Sequence, residues 1–255
     1  MKDKVLFVSG GTRGIGKAIV YAFAERGCNV AFTYASSADS ANEIIADVEA
    51  KYGVKARAYK LDILEPNTYK DVYKEFDEDF DRLDFFISNA IISGRAVVGG
   101  FAPFMRLKPK GLGNIWTATV EAFVVGAQEA ARRMEKTGGG SIISMSSTGN
   151  LVYTPNYAGH GTNKAAVETM VKYAAAELGD MNIRVNAVSG GPIDTDALKA
   201  FPNYEEVKAE VVNRSPLNRM GEAEDLTGAC LFLCQNDASW LTGQTIVVDG
   251  GTSFQ

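Results

Sequence analysis

The sequence predicts an α/β fold: a doubly wound parallel sheet of about seven strands with helices on both faces. Three observations predict it. Short apolar runs alternate with longer amphipathic segments along the whole chain. The apolar runs show no polar alternation, as expected of strands covered on both faces. A glycine-rich turn joins the first run to the first amphipathic segment.

In chain order, strands are expected at 5–9 (VLFVS), 29–34 (NVAFTY), 54–60 (VKARAYK), 83–88 (LDFFIS), 141–146 (SIISMS), 183–188 (IRVNAV) and 245–249 (TIVVD). Helices are expected at 14–26, 39–51, 66–79, 115–136, 156–178 and 222–235. Strands and helices in this alternation wind with right-handed crossovers. The rhythm continues to Asp249, so a single domain over 1–255 is expected. Two stretches break it. Residues 91–114 are rich in glycine and proline, and 191–218 hold a short amphipathic piece between Pro192 and Pro216. Long irregular connections in α/β domains are often functional.

Composition narrows the class. The chain has 255 residues, enough to bury a large core, and is 46% hydrophobic and 22% charged. Its net charge of −5 argues against nonspecific nucleic-acid binding. Cys28, Cys230 and Cys234 are odd in number and spread out, which speaks for a reducing compartment and against a disulfide framework. Cys230 and Cys234, in CLFLC, read as core. With one histidine and no CxxC, no metal site is expected. No run reaches the ~18 apolar residues of a membrane span. The start, MKDKVLFVSGG, passes straight into a strand, unlike a signal peptide. A cytoplasmic protein is expected.

The first strand ends in Ser9-Gly10-Gly11-Thr12-Arg13-Gly14-Ile15-Gly16. Glycines let the backbone turn sharply and approach a diphosphate closely, and the following helix offers free N–H groups to it. In this context the turn predicts a dinucleotide. The second strand ends Thr33-Tyr34-Ala35-Ser36-Ser37, without the acid that usually binds the ribose hydroxyls of NAD. Arg13 stands in the first turn, within reach of a 2′-phosphate, so NADPH is the expected cofactor.

The GGTRGIG turn, Asn89 after the fourth strand, SMSS (144–147), Tyr157 with Lys164, GGPIDT (190–195) and TGQTIVVDGG (242–251) together resemble the short-chain dehydrogenase/reductase family. Within it, NAVSGGPIDTDALKAFP (186–202) and MEKTGGGSIISMSS (134–147) look like bacterial enoyl-[acyl-carrier-protein] reductases of type III. The resemblance implies a Rossmann-like fold, a homotetramer, and NADPH-dependent reduction of enoyl groups on acyl carrier protein. It places Gly10, Thr12, Arg13, Ile15 and Gly16 at the diphosphate and ribose phosphate. Asp62 and Ile63 would flank the adenine, Asn89 and Ala90 the ribose, and Ile193 and Thr195 the nicotinamide amide and diphosphate. Lys164 would bind the nicotinamide ribose. The helical asparagine of many members falls on Thr119.

Most of the family uses Tyr-x-x-x-Lys. Four residues before Lys164 stands His160; the nearest preceding tyrosine, Tyr157, is seven before, the spacing of enoyl reductases. Three further residues add about 4.5 Å along a helix axis. In a ketone the protonated oxygen sits on the carbon that takes hydride. In an enoyl thioester, charge appears on an oxygen two carbons away, so the acid must be displaced. Tyr157 is therefore read as the donor to the enolate, Lys164 as lowering its pKa, and Ser147 as supporting the same oxygen. His160 is left as a neighbour that titrates near neutrality.

The segment from 193 to 216 would form a substrate lid, as in the family, with Leu198 and Phe201 on one helical face toward an acyl chain. Ile91, Ile92, Phe101 and Phe104 would add apolar walls. From Phe85 to Val120 there is no Asp or Glu, while Arg95, Arg106, Lys108 and Lys110 are present. Such a patch would steer an acidic acyl carrier protein. Two other functions are carried along: a 3-ketoacyl reductase or other short-chain alcohol dehydrogenase, and a non-catalytic NADP-binding regulatory protein.

Overall fold

The computed structural model describes residues 1–92, 97–199 and 204–254, with Asp196 and Ala197 described by backbone alone. Its strands are β1 (Val5–Val8), β2 (Asn29–Tyr34), β3 (Ala56–Lys60), β4 (Phe85–Ser88), β5 (Gly140–Ser147), β6 (Ile183–Gly190) and β7 (Thr245–Val248). All pair in parallel, in the order β3-β2-β1-β4-β5-β6-β7. The helices are α1 (Gly14–Glu25), α2 (Ala38–Tyr52), α3 (Tyr69–Asp79), α4 (Pro109–Trp116), α5 (Ala122–Lys136), α6 (Ala158–Leu178), α7 (Asp196–Lys199), α8 (Tyr204–Arg214) and α9 (Ala223–Leu233).

Strand alternation explains the unbroken apolar runs. In β1, Val5 and Phe7 join one core while Leu6 and Val8 join the other, and all four are buried. The first core is filled from α3, α5 and α6 by Tyr69, Tyr73, Phe76, Phe123, Val167 and Val171. The second is filled from α1, α2 and α9 by Ile19, Phe23, Ile44, Leu226 and Cys230. Cys28 and Cys234 are buried there too, and burial pushes all three thiols up, so they are inert core residues.

Two helix boundaries differ from expectation. The segment from Pro66 to Thr68 is a tight 3-10 turn, so α3 starts at Tyr69. The helix expected from 115 already begins at Pro109 and passes through a π turn, Thr117–Glu121, before α5. Gly111 and Gly113 hide this start, since glycine is a poor helix former.

The chain runs outward from β1 to β3, then returns to lay β4 against the other side of β1. The crevice at the carboxyl ends of β1 and β4 is the topological switch point, where doubly wound sheets bind ligands. The opposite end of the same two strands is held by buried Asp84. It accepts the Val5 N–H at 2.9 Å and pairs with Arg82 at 2.6 Å and Lys4 at 3.0 Å. Burial raises its pKa, but Arg82, the Val5 N–H and Lys4 outweigh burial and hold it below the usual range. Its contribution to stability is present above the unfolded value of about 3.9 and is lost as pH falls through the lower folded value. Asp84→Ala should cost roughly 3 kcal/mol, seen as a lower urea midpoint with unchanged Michaelis constants. An unchanged midpoint would show that the cluster contributes nothing.

Candidate active site

The nucleotide turn is built by backbone contacts that only glycine permits. Gly10 has φ +74°, and its N–H donates to Thr33 Oγ1 at 3.0 Å. The Gly11 N–H donates to the Thr33 carbonyl at 2.9 Å, so the end of β2 clamps the turn. A Cβ on Gly16 would collide with the Gly10 carbonyl oxygen and sit 2.6 Å from Asn89 Nδ2. Arg13 occupies the N-cap of α1 in extended conformation, and no side chain caps that helix. Its first N–H groups are thus available to a diphosphate, and the turn fits a dinucleotide. Thr12 and Ile15 are half-buried beside it, and Arg13 is exposed.

Asn89 staples the two strand ends. Its Nδ2 donates to the Ser9 and Gly10 carbonyls at 3.0 Å, and the Asn89 and Ala90 N–H groups both donate to Ser9 Oγ at 3.0 Å. Asp62 is exposed beyond β3 and accepts the Leu64 N–H at 2.9 Å; Ile63 beside it is buried. From the other side, Ile193 bridges to Gly221, and the Asp194 N–H donates to the Gly221 carbonyl at 2.7 Å. Thr195 Cγ2 lies 3.7 Å from where a Cβ on Gly14 would stand. The segment that follows β6 thus starts against the nucleotide turn. Gly16→Ala should weaken NAD(P)H binding about tenfold or more, because the helix start must shift by roughly the collision it relieves. Fluorescence titration with NADPH and with NADH checks this, and an unchanged Kd for both would remove the turn from the site.

The second half of the site joins the end of β5 to the start of α6. Ser147 Oγ accepts the Gly149 N–H at 3.2 Å, and both it and the Tyr157 ring border Gly149. Tyr157 is the N-cap residue of α6. Lys164 is buried at the foot of the same helix's second turn, and its Nζ donates to the Met145 carbonyl at 2.7 Å. One turn further on, Glu168 accepts Ser146 Oγ at 2.5 Å. Ser147, Tyr157 and Lys164 are therefore assembled from a single strand–helix junction.

The electrostatics differ from expectation in two places. Burial raises the Tyr157 pKa, with the Ser147 hydrogen bond opposing it, whereas a depression by Lys164 was expected. Burial lowers Lys164 to about 8, with Glu168 opposing. His160 does not titrate near neutrality: burial and then the Lys164 charge lower it to about 4, so the imidazole is neutral. Its ring stacks on Tyr157 at 5.3 Å and 26°. Phe101 meets both rings edge-on, at 6.0 Å from Tyr157 and 5.9 Å from His160.

Of the expected substrate contacts, Ile91 is exposed and Leu198 is half-buried in α7. Phe201 and Arg95 lie outside the described residues. Thr119 falls inside the π turn. Sequence reasoning missed the Met145 carbonyl and Glu168. A backbone acceptor leaves no residue signature, and Glu168 was visible only as the fourth residue after Lys164. No group of three or more metal-ligating side chains occurs among the described residues, nor any helix long and apolar enough to cross a membrane.

Comparison with known proteins covers nearly all of this structure. The family model described as enoyl-(acyl carrier protein) reductase matches residues 10–253. The chain is 36% identical over 255 residues to 1-cyclohexenylcarbonyl-CoA reductase of Streptomyces collinus, covering 99% of this chain and 88% of that protein. It is 33% identical over 248 residues to the 3-oxoacyl-[acyl-carrier-protein] reductase FabG of Staphylococcus aureus, covering 97% of each. Among solved structures, a short-chain type dehydrogenase/reductase from Mycobacterium ulcerans superposes with a TM-score of 0.91 at 27% identity, over 100% of this chain and 91% of that one. A 7α-hydroxysteroid dehydrogenase complexed with NADH and 7-oxo glycochenodeoxycholic acid does so with a TM-score of 0.89 at 31% identity, over 98% and 94%.

Proposed function

The chain belongs to the short-chain dehydrogenase/reductase family of oxidoreductases, and from that premise we propose that it reduces the C2=C3 double bond of enoyl thioesters. The substrate would be carried on acyl carrier protein in cytoplasmic fatty-acid synthesis, with NADPH as the preferred cofactor and a homotetramer as the working form. The observation that carries this reading is the place of the phenol. Tyr157, beside Ser147 at Gly149, stands seven residues before Lys164, and the position four before holds a neutral histidine.

A dinucleotide bound along the glycine turn would supply the hydride to the β carbon. Gly10, Thr12, Ile15 and Gly16 would hold its diphosphate, and exposed Arg13 its 2′-phosphate. Tyr157 donates a hydrogen bond to the thioester oxygen as enolate charge develops there, with Ser147 supporting the same oxygen, and a proton taken from solvent at the α carbon completes the saturated thioester. Lys164, whose Nζ donates to the Met145 carbonyl, would bind the nicotinamide ribose. Phe101 and His160 pack their rings against the phenol and fix its position. Ile91, Leu198 and Phe201, with the lid over 193–216, would receive the acyl chain.

The names of the relatives favour a second reading, a 3-oxoacyl reductase, since FabG proteins recur among them. Against it, the 1-cyclohexenylcarbonyl group of the Streptomyces relative's substrate is itself an unsaturated acyl thioester. One assay separates the two: cofactor oxidation with crotonyl and acetoacetyl thioesters side by side, each with NADPH and NADH. Crotonyl turnover without acetoacetyl turnover is expected, faster with NADPH. Acetoacetyl turnover alone would replace the enoyl reading with the ketone one. Equal rates with NADH would remove the role given to Arg13.

A further inference from the structure

We propose that the exposed segment from Pro103 to Lys110 is the docking surface for an acidic carrier protein that presents its acyl group on a flexible thiol arm; the proposal rests on the thioester reading above and names the partner of that site. The segment projects two large apolar side chains, Phe104 at 81% and Met105 at 91% exposure. Around them Arg106, Lys108 and Lys110 are exposed as well. None of the ion pairs among the described residues involves these three cations. They lie in a stretch free of Asp and Glu from Phe85 to Val120, within a chain of net charge −5. An apolar centre ringed by one sign of charge suits a partner of opposite charge with a small apolar contact.

The segment is also joined by packing to the candidate active site. The Lys108 N–H donates to the Gly99 carbonyl at 2.7 Å, and the Lys108 stem covers Gly99, which has φ +81°. Gly100, Gly111 and Gly159 stack so closely that a Cβ on any of them would collide with the next backbone or with Ile115. Gly159 is in the first turn of α6, between Tyr157 and His160. Phe101, three residues before Phe104, packs on both of those rings. A protein seated on Phe104 and Met105 would therefore rest beside the wall of the phenol, and an arm from it would have a short path inward.

The test uses Arg106→Glu/Lys110→Glu, which spares the Lys108 stem. Crotonyl groups are offered on acyl carrier protein, on CoA and on neutral N-acetylcysteamine, and carrier binding is measured by calorimetry. The variant should raise KM and Kd for the carrier about tenfold at low salt, with the effect shrinking as salt is added and kcat retained. The other two thioesters should move by less than about twofold. An unchanged carrier KM and Kd would overturn the proposal while leaving the enoyl reading intact. An equal rise for CoA would assign the cations to the phosphates of the arm. A change in the sedimentation mass of the variant would make the segment a contact between copies of this chain. Charge-dependent carrier binding by wild-type protein that turns over no thioester would sink the enoyl reading and leave the docking surface standing.

Discussion

Tyr157→Phe is expected to lower crotonyl-thioester turnover about 100- to 10,000-fold while NADPH binding is unchanged. The substitution removes one atom. The ring keeps its stack on His160 and its edge contact with Phe101, so the wall of the site survives. What is lost is the hydroxyl, the donor that the enoyl reading assigns to the developing enolate. Such a loss falls on kcat, because the interaction strengthens only as charge builds. His160→Ala removes a neighbour of that ring and a neutral imidazole, and it should lower kcat less than about tenfold. Its pH profile should also stay the same between about 6 and 7, since His160 is lowered to about 4. Steady-state kinetics of the two variants decides the assignment. Equal losses would mean that the phenol has no special role.

The contrast between those two residues shows what was legible in the sequence. The fold was, because Val5, Leu6, Phe7 and Val8 face two cores at once and so leave an unbroken apolar run. The glycine turn was, because Gly16 abuts the Gly10 carbonyl and no other residue fits. The placement of Tyr157 and Lys164 in the first turns of one helix was, because spacing along a helix survives in sequence. The charge state of His160 was not. Its ordinary pKa of about 6.5 is a property of the side chain, whereas its shift is a property of burial under Phe101 and beside Lys164. The helix from Pro109 was hidden for a related reason. Gly111 weakens helix by local propensity, and its justification, contact with Gly100, lies eleven residues away.

Lys164→Met should abolish most turnover and at the same time stabilise the fold. Burial lowers the Lys164 pKa to about 8 from an ordinary value near 10.5. Between those two values the unfolded chain holds a proton that the folded chain has released, so stability rises with pH across that window. Below about pH 8 both states are protonated and the full penalty of burying the ammonium is present, about 3 kcal/mol. Methionine fills similar volume without the charge. It leaves the Met145 carbonyl without its 2.7 Å donor, which costs about 1 kcal/mol. The net gain should raise the thermal midpoint by roughly 4–8 °C at neutral pH. Turnover should fall about 100-fold or more if that cation binds the nicotinamide ribose as proposed. In the wild type the same proton sets the alkaline limb, so kcat/KM should decline above about pH 8. A charge buried at a cost in stability and kept at the foot of the phenol's own helix is what a catalytic lysine requires, and a structural one would have been replaced by an apolar residue. A lower midpoint for Lys164→Met would reverse that conclusion: the Met145 contact, and not chemistry, would then be the reason the lysine is there.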